Sequence, residues 1–522
     1  MHTAMHSRFT PSWLVVSLLA LALATGCDGD VDDFGYCQDD AECGDGAVCD
    51  CSGTATGECN GEDLGDCVAA TCLIDSDCEI GLVCNDGFCD FGAGEGEGEG
   101  EGEGEGEGEP PPVLDEASVR AALNIDAATG AARFSVSDGW PVRLDDNRVV
   151  FVSLRADRTF LAGDFNSFVP EAMQVVQRNG SFAYAIAVKS GVVAGQGYKF
   201  VTAQQNGGFF ADPGSRFYGF DGNGEISFVG GASAINRTAY PNLYARFVDV
   251  DLDNDTTLLP RNVRVLLPTA AATHVLYVHD GQNVFARDSS IPDAFNIPFG
   301  GWRLDESPPA GLMIVAIDNT PERFFDYTHV TDVIGGGGPV GGGGDRYADF
   351  VVQTVRPLVA RVFGEPAVRG VMGSSLGGLI SLHIVDRHPD AFDFTAALSS
   401  TFEWGSFNNA TANDGNNTMI DRVRGDGVRR TVIALDSGGT PVTCADTDGD
   451  GIEEDVDGSV PDNFCVTLQM RNVLQGEGYT LGQNLFYNHD LGLSGNGAEH
   501  REDAWAFRAA TIHLPRFMTL QP

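Results

Sequence analysis

Val368-Arg369-Gly370-Val371-Met372-Gly373-Ser374-Ser375-Leu376-Gly377-Gly378-Leu379-Ile380-Ser381-Leu382-His383-Ile384-Val385 decides how the C-terminal half of this chain folds. The run from Val368 to Met372 is apolar and strand-like, and Leu379 to Val385 has the apolar density of a buried helix. Between them stands Gly-x-Ser-x-Gly, with Ser375 at its centre. The flanking glycines permit a sharp strand-to-helix turn that lifts Ser375 above the sheet edge, the position of a nucleophile. The amide of Leu376, at the start of the new helix, is then placed to stabilise an oxyanion. In a chain with 67 glycines the pattern alone says little; the strand before it and the helix after it give it meaning.

Working outward, apolar runs alternate with helical stretches from about Asn236 to Pro522. Val263 to Leu267, Val275 to Val278, Leu312 to Ile317, Phe394 to Leu398, Thr431 to Leu435 and Asn484 to Tyr487 read as further buried strands. Tyr347 to Val362, Cys465 to Leu474 and Trp505 to Phe517 read as helices. That rhythm predicts an α/β domain over residues 233–522, a mostly parallel sheet with helices on both faces. Reactive groups then gather on loops beyond the carboxyl ends of the strands.

A serine hydroxyl becomes a useful nucleophile only when a base takes its proton and a third group orients that base. In α/β-hydrolases the order along the chain is Ser, acid, His. His383, His388, His489, His500 and His513 follow Ser375. His383 and His388 fall on or just after the helix leaving the turn, and His513 in the terminal helix. His489 and His500 fall after the last strand, where the base belongs. His500, directly ahead of the terminal helix, is the favoured base.

Several stretches together are similar to one esterase family, which includes enterochelin esterases, S-formylglutathione hydrolases and feruloyl esterases. They are Val275-Leu276-Tyr277-Val278-His279-Asp280-Gly281-Gln282-Asn283, Ile317-Asp318-Asn319, Gly373 to Gly378, and Glu499-His500 with Trp505. The resemblance spans nearly all of Arg261 to Phe517 in the right order. It implies Ser375 as nucleophile, His500 as base, and Gly281 and Gln282 as the loop completing the oxyanion site beside Leu376. It also implies an acid shortly after Asp436-Ser437-Gly438, in Asp462-Asn463-Phe464. Asp462 is the first choice and Asp436 the alternative; some relatives manage with a Ser–His pair. No cofactor is implied for catalysis.

The segment ahead of Asp462 departs from that family's pattern. Asp446-Thr447-Asp448-Gly449-Asp450-Gly451-Ile452-Glu453-Glu454-Asp455-Val456-Asp457 has oxygen-bearing positions one, three, five, nine and twelve, with Gly at six. That is the spacing of a calcium loop, with Ile452 contributing its carbonyl at position seven. Asp457 stands where Glu is usual, as in thrombospondin-type calcium repeats. Asp446, Asp448, Asp450, Ile452, Glu454 and Asp457 are therefore the candidate ligands of a structural calcium. The competing reading is a solvated acidic loop. Cys444 and Cys465 bracket the insert and are expected to bond. Gly335 to Gly338 and Gly341 to Gly344 lack the Lys-Ser/Thr of a phosphate loop and read as a flap. Asp249 to Asp255 reads as an exposed acidic linker. Phe402 and Trp404 are candidates for lining an acyl pocket or for ordinary packing.

The N-terminal third carries no such chemistry. Residues 1–26 read as an export signal ending in Leu23-Ala24-Thr25-Gly26-Cys27, which resembles the lipobox of bacterial lipoproteins and implies lipidation of Cys27. Of the 13 cysteines, ten lie between Cys37 and Cys89, and this density across 27–91 predicts a disulfide-rich segment in an oxidising compartment. Zinc is the rival, without supporting histidines. Residues 92–113 alternate Glu and Gly before three prolines, an extended spacer without a core. Residues 114–232 read as all-β. Leu161 to Phe168, Tyr198-Lys199-Phe200 and Ala211 to Arg216 resemble the early-set immunoglobulin-like sandwiches of glycogen-acting enzymes. Glycan-binding members carry Trp near the position of Phe168.

Lys and Arg number 31 against 75 Asp and Glu, a net charge of −44, which excludes nucleic acid as an electrostatic partner. The expectation is thus an exported protein, periplasmic or on the cell surface, anchored to a membrane through Cys27. It would cleave a small-molecule or glycan ester: an acylated sugar, a feruloyl-type ester or a siderophore ester. The alternatives are an acyltransferase on the same fold and a surface binding protein with an unused triad.

Overall fold

The computed structural model describes residues 114–521 except 138, 203–207, 251–257, 286–300, 335–336, 408–417, 458–461 and 493–499, together with five short strands among residues 36–91. The chain divides into two units, Met1–Gly106 and Glu107–Pro522. In the first, Tyr36–Cys37, Gly65–Ala69 and Ala47–Asp50 pair in that order, with Cys49 opposite Cys67. Leu82–Asn85 pairs with Phe88–Phe91, with Cys84 opposite Cys89. The export signal, Cys27 and the Glu-Gly spacer lie outside the described residues.

In the second unit, eight strands form the frame for the site. These are β1 (Leu243–Val250), β2 (Arg261–Leu267), β3 (His274–His279), β4 (Leu312–Ile317), β5 (Val368–Ser374), β6 (Phe394–Leu398), β7 (Val432–Gly438) and β8 (Leu485–Asp490). Their spatial order is β8-β7-β6-β5-β3-β4-β2-β1. Strands β3 to β8 run parallel, and β2 is antiparallel to both of its neighbours. Apolar residues clothe both faces, as a parallel sheet under helices requires. One face of β5 presents Val371 and the other Val368 and Met372 to two separate cores. Every residue of β3 and β4 is buried, so these strands read as continuous apolar runs rather than alternating ones.

Residues 114–136 are not β structure, as the sequence reading expected, but two helices: α1 (Glu116–Ile125) and α2 (Ala127–Val136). Asp115 caps the first by accepting from the Ser118 amide at 2.8 Å, and Asp126 caps the second from Thr129 at 2.7 Å. Val119, Leu123 and Phe134 on these helices pack on Val150, Val152, Tyr184 and Ile186. That covers the outer face of a sheet ordered Gln174–Arg178, Ser181–Lys189, Val149–Ser153 and Val142–Arg143. The inner face, with Val149, Phe151 and Ala185, meets Leu161, Tyr198 and Phe200 of a facing sheet. Two sheets thus pack face to face, with a helical layer outside.

No boundary separates that facing sheet from the hydrolase-like sheet. Phe217–Asp221 pairs with β1, Phe217 opposite Ala245 and Tyr218 opposite Tyr244, so the strands continue as one sheet across the expected division at 232/233. Strand β1 was not foreseen, and Asp249 and Val250, taken as linker, are its last residues. Its alternation is blurred by buried Arg246, which pairs with Glu225 and lies over the Tyr218 ring at 3.6 Å. Phe168 packs against the main core rather than standing as a platform for a sugar.

Candidate active site

The turn after β5 gives Ser375 φ 57° and ψ −124°. A side-chain-bearing residue there stores about 1–3 kcal/mol of backbone strain. Two glycines make the turn possible. A Cβ on Gly373 would lie 2.5 Å from the Gly377 carbonyl oxygen, and one on Gly378 would lie 2.0 Å from Ser400 Oγ. The chain then enters α3 (Leu376–Arg387), whose first amides, including that of Leu376, have no intrahelical partner. The Ser375 amide donates to the Leu398 carbonyl at 2.8 Å, which sets the turn against the end of β6.

Beside it, β3 ends in a short 3-10 turn, Gly281–Asn283, entered through Asp280 at φ 56°. Gly281 is obligatory, because a Cβ would lie 2.6 Å from the carbonyl carbons of Ala316 and Ile317. Asp280 accepts from Arg323 Nε at 2.7 Å, Arg323 Nη2 at 2.9 Å and Asn319 Nδ2 at 2.5 Å. Burial alone would raise the Asp280 carboxyl, but Arg323 and Asn319 outweigh it and hold it below the ordinary range. Gln282 Oε1 accepts from the Asn319 amide at 3.1 Å. A Cβ on Gly377 would come within 3.2 Å of Asp280 Oδ2, so the two turns that carry Leu376, Gly281 and Gln282 are in contact.

His500 Nδ1 lies 2.8 Å from Asp462 Oδ1. An ionised carboxylate only accepts, which places the imidazole proton on Nδ1 and leaves the Nε2 lone pair as the basic site. Asp462 is fully buried, and its Oδ2 accepts from Ser399 Oγ at 2.5 Å and Arg508 Nη2 at 2.9 Å. Burial pushes this carboxyl up, but the hydrogen bond from His500 and the charge of Arg508 prevail and lower it. The His500 ring stands edge-on to Trp505, centroids 4.6 Å apart, and Trp505 Nε1 donates to Ser399 Oγ at 2.9 Å. With 37% of its side chain exposed, His500 faces solvent while its orienting acid does not. Ser399 follows Leu398, which holds the Ser375 amide, so the serine turn and the His500–Asp462 pair share one end of the sheet. Ser375 Oγ makes no hydrogen bond among the described residues.

The other histidines after Ser375 are engaged elsewhere. His383 Nε2 meets Asp345 at 2.8 Å, and His388 Nε2 meets Asp349 at 2.7 Å. His489 bridges Ser437 Oγ at 3.0 Å and the Gly439 carbonyl at 2.8 Å. His513 Nε2 lies 2.6 Å from Asp436 Oδ2, and Arg508 Nε lies 3.2 Å from the same oxygen. Asp436, the alternative acid, is thus buried in a pair with His513 rather than His500. Ser399 and Arg508, which anchor Asp462, were missed by the sequence reading. Nothing distinguishes Arg508 locally from a basic residue in a helix's last turn, and only the fold brings it under the loops.

Phe402 and Trp404 are buried, with Trp404 Nε1 donating to the Val330 carbonyl at 2.8 Å, so both are packing rather than pocket lining. The glycine-rich segment forms a hairpin, Thr331–Val333 against Pro339–Gly341, and its second run leads into a helix at Gly344.

Cys444 and Cys465 are bonded. Within the insert, Cys444–Ala445 pairs with Glu454–Asp455, and carboxylate oxygens of Asp446, Asp448, Asp450 and Glu454 lie within 4.8 Å of one another. Burial, then the neighbouring Asp448, Glu454 and Asp446, raise the Asp450 carboxyl despite the Ile452 amide that it binds. Asp457 is not gathered with them: the short hairpin carries it back past Thr443, whose amide it accepts at 2.7 Å.

Residues 256–456 match the family model Esterase, described as "Putative esterase". This stretch is therefore an esterase-family domain of the α/β-hydrolase type; it contains Ser375, Gly281 and Gln282 and stops short of Asp462 and His500. Over 145 residues the chain is 31% identical to the siderophore triacetylfusarinine C esterase of Aspergillus fumigatus, covering 25% of this chain and 45% of that one. Over 160 residues it is 28% identical to the uncharacterized protein YbbA of Bacillus subtilis, covering 27% and 57% respectively. The chain thus spans about half the length of these curated relatives. The crystal structure of the ferric enterobactin esterase of Salmonella typhimurium aligns over 72% of this chain and 96% of its own, with 16% identity and a TM-score of 0.35.

Proposed function

We propose that this protein is a serine carboxylic-ester hydrolase working through Ser375, His500 and Asp462. The observation that carries the reading is the buried Asp462 carboxylate holding His500 Nδ1 at 2.8 Å, at the same end of the sheet as a serine on a strained turn. His500 Nε2 takes the Ser375 Oγ proton as that oxygen bonds to the ester carbonyl carbon. The carbonyl oxygen becomes an oxyanion facing the amides of Leu376, Gly281 and Gln282. Collapse expels the alcohol, protonated by His500, and leaves an acyl group on Ser375. Water, deprotonated by the same imidazole, then releases the acid. The Ser–His hydrogen bond closes when substrate excludes water, since such bonds are commonly long in free enzymes. The test is turnover of p-nitrophenyl acetate by the full chain, lost with Ser375→Ala.

The substrate class we assign is a small-molecule ester presented outside the cytoplasm. A siderophore ester is favoured over an acylated sugar or feruloyl ester because a curated relative is named a siderophore esterase. Export and anchoring through a lipidated Cys27 rest on the leader and lipobox-like sequence; among the described residues no helix is long and apolar enough to cross a membrane.

Asp446, Asp448, Asp450 and Glu454 fit a hard cation, offering converging oxygens whose mutual repulsion a cation would relieve. We assign them as a structural calcium site, clamped by the Cys444–Cys465 bond ahead of Asp462. Calcium at a hundredfold excess over its Kd is expected to add about 2.7 kcal/mol of stability, read as a rise in Tm that chelator reverses. Asp448→Ala should abolish that rise; identical melting of the native protein with calcium and with chelator contradicts the assignment.

A further inference from the structure

We propose that Glu502 is a positioning residue of the acyl-transfer site: it ties the oxyanion turn to the helix that follows the base. The proposal rests on the esterase reading above and adds a residue that the triad does not include. Glu502 opens α4 (Glu502–Arg508), two residues beyond His500. Its Oε2 accepts from Trp302 Nε1, and its Oε1 accepts from Asn283 Nδ2 at 3.4 Å. Asn283 closes the 3-10 turn that opens with Gly281 and Gln282, the residues assigned above to the oxyanion site. Trp302 is joined to that residue as well, its amide donating to the Asn283 carbonyl at 2.6 Å. Trp302 and Asn283 are both buried, 3% and 5% exposed, and Glu502 reaches them from a half-buried position at the start of its helix.

One carboxylate therefore fixes the spacing between the oxyanion donors on one loop and the imidazole on another. It touches neither the reacting atoms nor the triad, so its effect passes through the groups it holds. The charge state matters for a geometric reason. Both neighbours are N–H donors, and only an ionised carboxylate accepts from both; a protonated one turns an O–H toward a donor. The charged groups facing Glu502 are Asp280 from the end of β3, Arg323 from the helix Arg323–Asp326, and Asp503 on its own helix. Arg323 is committed to Asp280 through two hydrogen bonds. Burial is the main influence and, with Asp280 and Asp503, pushes the Glu502 carboxyl up to about 7, against the Trp302 hydrogen bond and Arg323. Below that pH the strap loses one of its two bonds; above it, both hold.

The experiment measures kcat and KM for p-nitrophenyl acetate from about pH 5.5 to about pH 9 on the full chain, for wild type, Glu502→Gln and Trp302→Phe. Wild type is expected to lose part of its activity toward acid as Glu502 takes up a proton and the strap slackens. In each variant the strap is already broken, so that component of the acid loss should disappear and kcat at high pH should be lower by on the order of 10-fold to 100-fold, as misplacement does, with KM little changed. If Glu502→Gln melts too low to assay, Trp302→Phe decides alone, since it removes the N–H and keeps an aromatic ring. Folded variants with wild-type kcat and a wild-type acid limb overturn this proposal while leaving the esterase reading intact. A wild-type chain without turnover overturns the esterase reading, and this proposal falls with it.

Discussion

Ser375→Ala is expected to reduce kcat for p-nitrophenyl acetate by on the order of 10⁴-fold to 10⁶-fold while leaving the fold unchanged. The hydroxyl makes no structural hydrogen bond among the described residues, so its removal leaves no buried group unpaired. Alanine inherits the same strained φ of 57°, and the melting temperature should therefore stay close to the native value. Residual rate above that of water, on the order of 10³-fold, is expected from the oxyanion amides alone. A variant that keeps more than a tenth of native turnover would remove Ser375 from the chemistry.

Asp462→Asn is expected to lower kcat by on the order of 10⁴-fold. An amide opposite His500 Nδ1 turns its NH₂ toward the ring, which forces the imidazole proton to Nε2 and blocks the basic site. The amide oxygen then stays opposite Arg508 Nη2 and keeps that hydrogen bond without the charge, and the Arg508 contact with Asp436 survives. Asp436→Asn separates the two roles. It disrupts the buried contacts with His513 and Arg508 and should destabilise the protein by about 3–5 kcal/mol, while activity per folded molecule persists. The opposite pattern, a dead Asp436→Asn and an active Asp462→Asn, would exchange the assignments.

How far the sequence discloses this arrangement depends on the range of the interactions involved. The serine turn is local: a buried apolar strand, two glycines that a Cβ would obstruct, and a buried helix all stand within eighteen residues, Val368 to Val385. The central strands β3 to β7 were legible because burial on both faces makes each largely an apolar run. Strand β1 was not, because Arg246 and Asp249 interrupt its pattern and its partner strand, Phe217–Asp221, lies in what was read as another domain. The helices at 116–136 were hidden for a different reason. Their capping residues Asp115 and Asp126 are visible in the sequence, but a run of β-like segments after them set the expectation for the whole region. Asp462 was reached through family resemblance, since nothing within the loop separates it from the carboxylates around it. Glu502, Ser399 and Arg508 act only through partners more than forty residues away, and no local signal announces them.

The central claim is that His500 activates the Ser375 hydroxyl. Its most direct test is to treat the full chain with a fluorophosphonate ester and locate the adduct by peptide mass spectrometry. One stoichiometric phosphonyl group is expected on the peptide containing Ser375, forming at least on the order of 10³-fold faster than with His500→Ala. Labelling at another residue, or at Ser375 at the same rate without His500, would contradict it.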